Sequence, residues 1–146
     1  MRQIVPLIAL VSLVLFSCSK EYSFEAAPST LAGTWRMVKV EDNSSGSITT
    51  KPSDLLRDVE ITFTATGNIS GVLVGHTPTN IISQSDYTTG INQMLTIPAI
   101  HITKLWETPW GSEFVLNICS ASAHHFNSDG NLMITTVDKT LIFERV

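Results

Sequence analysis

Cysteine is nearly absent from this chain: there are two, Cys18 and Cys119. Long apolar runs are missing too. The longest, Ile4 to Phe16, has thirteen residues, well short of the ~20 that a spanning helix needs. Charged residues make up only 15% of the sequence and form no basic block, which excludes the positive face that nucleic acid requires. There is no G-x-S-x-G, no phosphate-binding loop and no pair of carboxylates at catalytic spacing. No repeat or low-complexity block is present. These absences argue against an enzyme of a familiar motif class and against a membrane-spanning protein.

What the N-terminus does contain is an address. Arg2 precedes the apolar run, as in a secretory leader, and Pro6 and Ser12 interrupt it. The run ends in Leu15-Phe16-Ser17-Cys18. An aliphatic residue three positions before a cysteine, with a small residue just before it, resembles a bacterial lipobox. We therefore expect residues 1–17 to be a lipoprotein signal peptide and Cys18 to be the lipid attachment residue. Two or three acyl chains there would hold the protein stably to a membrane. The expected location is the cell envelope, lipid-anchored, at the outer membrane. With Cys18 acylated, Cys119 is left alone and no intramolecular disulfide can form. Loss of the leader removes Arg2 and leaves the chain one unit more acidic than its formal −4. Residues 18–30 are polar, lack periodicity and carry Pro28, and read as anchor and flexible tether.

From Leu31 onward the pattern is one domain, residues 31–146, large enough for a single core. Its periodicity is mainly that of strands. Thr34 to Val40, Val59 to Phe63, Ile69 to Val74, Tyr87 with Met94 to Ile97, and Ile100 to Leu105 are expected as strands. Leu132 to Thr136 and Thr140 to Arg145 are expected as the last pair. Between them, Phe114, Val115, Ile118, Ala121 and His125 or Phe126 are spaced as one helix face, with Ser112 as N-cap and Glu113 near the helix N-terminus. The expected fold is α+β: a curved antiparallel sheet, partly barrel-like, with one helix before the last two strands.

Leu31-Ala32-Gly33-Thr34-Trp35 resembles the L-x-G-x-W opening of META domains, the HslJ-like family of small envelope proteins. Further elements follow in the same order: Phe63, Gly67 and Gly71; Asn80 and Ser85-Asp86-Tyr87; Leu95 to Ile97; Thr103; Glu113 and Phe114; Leu132 to Ile134; Leu141 to Phe143. The resemblance spans nearly all of residues 31–146. It implies a compact envelope domain, linked to stress, drug tolerance or secretion, without established catalytic residues. Relatives carry a cysteine before the asparagine and another after the threonine. Here Thr79 precedes Asn80 and no cysteine follows Thr103 before the helix, so no disulfide is carried over. A second resemblance is to lipocalins, through Gly33-Thr34-Trp35, with Arg145 as the late-strand arginine that covers the tryptophan. That family implies eight strands around a cavity.

Trp106 and Trp110, in Trp106-Glu107-Thr108-Pro109-Trp110-Gly111, are the candidate binding residues. Pro109 and Gly111 make this stretch a loop, and loops that display tryptophan commonly bind. Cys119 is expected to be a small buried apolar residue of the helix, because no base lies within a turn to activate it. His124 and His125 are placed at the helix end, about 100° apart, which does not suit one metal; their positive form would suit the helix C-terminus. His76 and His101 lack a second ligand at useful spacing. No catalytic residue, metal or cofactor is expected. The expected partners are the membrane and an unidentified protein, envelope component or small molecule. A carrier of a small apolar ligand is the alternative.

Overall fold

The computed structural model describes residues 30–146. The expected signal peptide, Cys18 and the expected tether up to Ser29 lie outside the described residues.

The strand signals become one antiparallel sheet. Its strands are β1 (Gly33–Asp42), β2 (Ile48–Thr50), β3 (Glu60–Ala65), β4 (Ser70–His76), β5 (Ile81–Thr89), β6 (Leu95–Thr96), β7 (His101–Ile102), β8 (Ala123–Phe126), β9 (Leu132–Thr135) and β10 (Lys139–Arg145). The neighbour order is β6-β5-β4-β3-β1-β10-β9-β8, with β2 added to β1 and β7 to β5. The two ends of that path meet. Met94 bridges Ala123, and the Leu95 amide donates to the Ser122 carbonyl at 3.1 Å. The sheet is thus nearly closed into a barrel, which leaves few unpaired edges.

Alternation decides what faces inward. Trp35 and Met37 of β1, Ile61 and Phe63 of β3, Leu73 of β4, Leu132 and Ile134 of β9, and Leu141 and Phe143 of β10 are all buried in one cluster. Phe63 meets Tyr87 edge-on at 5.1 Å and Phe114 meets Phe143 likewise at 6.4 Å, the geometry that aromatic quadrupoles favour. Gly71 is needed beneath Tyr87. A Cβ there would run into both the Thr64 carbonyl oxygen and the Tyr87 ring.

Trp35 also fixes how the chain enters the fold. Its indole Nε1 donates to the Leu31 carbonyl at 2.9 Å, and the Arg145 guanidinium lies 5.4 Å from its ring centre, a cation–π arrangement. Arg145 Nη2 in turn donates to the Ala32 carbonyl at 3.4 Å. Arg145 passes so close to Gly33 (φ +138°) that a side chain there would meet the guanidinium at 3.0 Å. Residues 31–33 are pinned by Trp35 and Arg145 together.

The helix differs from the expectation. α1 spans Pro109–Asn117, and its N-cap is Thr108 rather than Ser112. The Thr108 hydroxyl accepts from the Gly111 amide at 3.1 Å, and Pro109 occupies the first helical position, where a missing N–H costs nothing. Pro109 and Gly111 therefore start a helix instead of marking a loop. A single 3-10 turn, Ile118–Ser120, follows. The stretch from Ala123 to Phe126 is strand β8, so the helix precedes three strands, not two. Pairing with β9, from Ala123↔Thr135 to Phe126↔Leu132, overrides the helical spacing of the apolar residues. Cys119 is exposed in the 3-10 turn, and Ile118 takes the buried position expected for it.

Candidate functional site

One end of the barrel is not filled. There the inward positions of β3 and β5 end in small or polar residues, Ala65 after Phe63 and Thr89 after Tyr87. A cavity of about 470 Å3 opens between them, lined also by Leu31, Ser70, Gln93 and His124. Its walls come from four places in the sequence: the chain entering β1, the β3–β4 turn, the β5–β6 turn and β8.

Local bonding sets each wall. The β3–β4 turn closes through the Thr66 and Gly67 amides, which donate to the Ser70 carbonyl at 3.0 and 3.1 Å, and the Thr89 amide reaches across to the Ile69 carbonyl at 2.8 Å. In the β5–β6 turn, Asn92 and Gln93 have φ of 56° and 61°. Left-handed conformations cost a non-glycine residue roughly 1 kcal/mol each. They bend the chain back so that Leu95 pairs with Thr89 and Met94 with Ala123. That return closes the barrel and brings Gln93 to the cavity. Strained residues of this kind concentrate at functional sites.

His124 and Tyr87 carry the chemistry. His124 stands opposite the inward-facing Ile134, and its ring meets Phe126 edge-on at 6.2 Å. Its Nδ1 is buried and has no hydrogen-bond partner among the described residues. Burial holds its pKa below the ordinary 6.5 although the Gln93 backbone favours the cation, so the ring is neutral at pH 7. Burial raises the pKa of Tyr87, so its phenol keeps its proton. No Asp, Glu, Lys or Arg lines the cavity. The lining is uncharged, and it mixes apolar and polar surface with the apolar share the larger.

The residues singled out in the sequence are not gathered here. Trp110 is only 3% exposed and packs in the core from the first turn of α1, which corrects its reading as a binding residue. Trp106 is 78% exposed and Leu105 64%. Their loop is held by the Thr79 hydroxyl, which donates to the Trp106 carbonyl at 2.6 Å, next to Ile81 at the start of β5. Ile81 pairs with His76, so Trp106 and the cavity lie at opposite ends of the barrel. His124 and His125 are neighbours on a strand, not at a helix end, and so point to opposite faces. His76 Nδ1 lies 3.0 Å from the Asp58 carbonyl and His101 Nδ1 2.8 Å from that of Gln84. Among the described residues no three His, Cys, Asp or Glu side chains converge as metal ligands would.

Sequence reasoning also missed a polar cluster around Glu107. Its carboxylate accepts from the Thr77 hydroxyl, from Asn80 Nδ2 at 2.8 Å and from the Thr108 amide at 2.9 Å. Asn80 Oδ1 accepts from the Thr103 hydroxyl at 3.0 Å and the Leu105 amide at 2.9 Å. Burial raises the Glu107 pKa, but these donors outweigh it and hold the group below its ordinary 4.5. The cluster ties the 103–108 loop to β5 and to the start of α1. Its donors and acceptors satisfy one another, which fits a structural role.

Comparisons of the chain with models of known protein families, with characterised proteins and with solved structures give no match.

Proposed function

We propose that this protein is a lipid-anchored, non-catalytic binding module of the bacterial envelope, and that its binding site is the cavity at the barrel end. The observation that carries this reading is the contrast within one core. Trp35, Phe63, Phe114 and Phe143 are buried in the core, whereas at this end the inward positions finish in Ala65 and Thr89 beside an open cavity. Ligand sites generally occupy about 300–1,000 Å3, and this cavity of about 470 Å3 falls in that range.

The anchor follows from the leader and Cys18. Residues 30–32 form part of the cavity wall, and a flexible tether of this length lets the cavity reach envelope components near the membrane surface. A second reading, docking of a protein at Trp106, is favoured by the exposure of that ring alone.

The test is native mass spectrometry of the protein extracted from its own membranes in a mild detergent. A retained small molecule, lost when Thr89→Trp fills the cavity, is the expected result. An N-terminus carrying diacylglycerol on Cys18 is expected in the same spectra. An unmodified chain in the soluble fraction would refute the anchor, and an empty protein in every preparation would refute the cavity as the site.

A further inference from the structure

The end of the barrel away from the cavity displays apolar side chains that the proposed binding site does not use. We propose that this end is a membrane-contact face: the loops carrying Leu56-Arg57 and Lys104-Leu105-Trp106 seat on the interface of an anionic phospholipid bilayer, a contact that rests on the lipid anchor proposed above.

Sheet pairing brings the two loops to one end. Glu60, at the start of β3, pairs with His76, and His76 pairs with Ile81. Residues 51–59 lead into Glu60. Residues 103–108 are joined to Ile81, whose carbonyl accepts from the Thr103 amide at 3.1 Å. Both loops are fastened. Lys51 and Arg36 hold Asp58 at 2.8 and 2.9 Å, and Leu55 packs against the core, while its neighbour Leu56 is fully in solvent. Asn80 and Glu107 hold the second loop, where Leu105 and Trp106 are exposed together with Ile81. Display on fastened loops lowers the ordering cost of binding.

Single exposed leucines are ordinary on a protein surface. Here each displayed group adjoins an exposed cation, Arg57 beside Leu56 and Lys104 beside Leu105. Among the described residues neither cation forms a salt bridge. Of the carboxylates in and beside the two loops, Asp58 and Glu60 face Arg36 and Glu107 is taken up by its donors, which leaves Asp54 exposed. Tryptophan with lysine and arginine beside it is the pattern of a bilayer interface, and an anionic surface complements the two cations. A protein partner is the weaker match. Lysine is depleted from protein interfaces, and hot spots sit at the centre of one continuous patch, whereas these side chains stand on two separate loops.

The anchor lets this end reach the membrane. From Cys18 to Thr30 are twelve peptide steps, up to about 40 Å when extended. Strand β4 runs from the cavity to the far end in seven residues, or about 20 Å. With the far end seated, the cavity opens away from the bilayer.

The experiment reconstitutes the full lipidated protein in vesicles of phosphatidylglycerol and acyl-brominated phosphatidylcholine. Trp106 is itself the reporter, since Trp35 and Trp110 are buried. Expected are quenching of Trp106 by the brominated lipid and its shielding from acrylamide, with the quenched component missing in Trp106→Phe. Arg57→Gln combined with Lys104→Gln should lower the docked-to-free ratio about 30-fold, a factor of roughly five for each cation. Leu56→Ser should lower it too, and so should omission of phosphatidylglycerol. Circular dichroism verifies that each variant is folded. Protein that floats with the vesicles while Trp106 stays open to acrylamide overturns the inference and leaves the anchor standing. Protein that does not float with them overturns the anchor and the contact together. Quenching that is unchanged in the combined glutamine variant overturns the anionic bilayer as the partner.

Discussion

Gly111 and Glu107 provide a test in which one substitution should change sign with its background. Gly111 is the third residue of α1, and the Glu107 side chain lies directly over it. A Cβ on Gly111 would collide with the Glu107 carboxyl group. A carboxylate on a loose stem would swing away, but this one is bonded to Thr77, Asn80 and Thr108. Gly111→Ala should therefore destabilise the protein by about 1–3 kcal/mol, as overpacking usually does. Glu107→Ala alone leaves the fully buried Thr77 hydroxyl without its acceptor. Asn80 Nδ2 still reaches Thr79 Oγ1 at 3.0 Å, so one orphaned donor dominates and the loss is about 2–3 kcal/mol. Once Glu107 is truncated, the space over Gly111 is free. Gly111→Ala should then cost nothing and recover up to about 1 kcal/mol of helix propensity. The coupling between the two changes is about 1–4 kcal/mol and favours the double variant. Urea unfolding followed by tryptophan fluorescence measures it, since Trp35 and Trp110 are buried reporters. Equal effects of Gly111→Ala in both backgrounds would refute the packing argument. A neutral Glu107→Ala would refute the role given to the cluster.

Four other outcomes are expected. Gly71→Ala puts a methyl into the Thr64 carbonyl and the Tyr87 ring, neither of which can move freely, and should cost about 2–4 kcal/mol in thermal unfolding. Glu107 and Asp42 have folded pKa values below their ordinary 4.5 and 3.8: burial opposes the Glu107 shift, which its three donors produce, and Ser44 followed by Lys139 depress Asp42. Their stabilisation is complete above the unfolded values and is lost as pH falls through the folded ones. The thermal midpoint should thus hold above pH ~5 and decline below pH ~4, less steeply in Glu107→Ala. Trp106→Ser should change stability by less than about 0.5 kcal/mol, because its ring is in solvent. Cys119, exposed in the 3-10 turn, should react with Ellman's reagent in the folded protein at the rate of an ordinary thiol; a protected thiol would refute that placement.

The strands were legible because alternation acts locally. Val59, Ile61 and Phe63 announce a half-buried strand wherever their partners lie, and both halves of the β3–β4 and β9–β10 hairpins follow from short turns between such runs. Helix α1 was legible in existence but not in extent. Ala121, His125 and Phe126 continue a helical spacing, and only the hydrogen bonds offered by β9 and by Met94 convert that segment to a strand. The strand β2 has three exposed residues and thus no apolar signal. Trp110 shows the same dependence: a tryptophan beside proline and glycine looks like a displayed residue until Thr108 caps the helix and turns it inward.

The cavity could not be read at all. Its parts are ordinary in sequence: a leucine after a tether, two turns and one of two adjacent histidines. Alternation along the chain determines which residues face inward, and the apolar run before Cys18, on which the expected leader rests, is likewise a local pattern. Whether an inward layer is filled is set by which residues from distant strands meet at one level of the barrel. Trp35, Phe63 and Phe143 meet other large side chains and leave no space. Ala65 and Thr89 are too small to close their end, and the register that sets them there beside His124 belongs to the closed sheet rather than to any single strand.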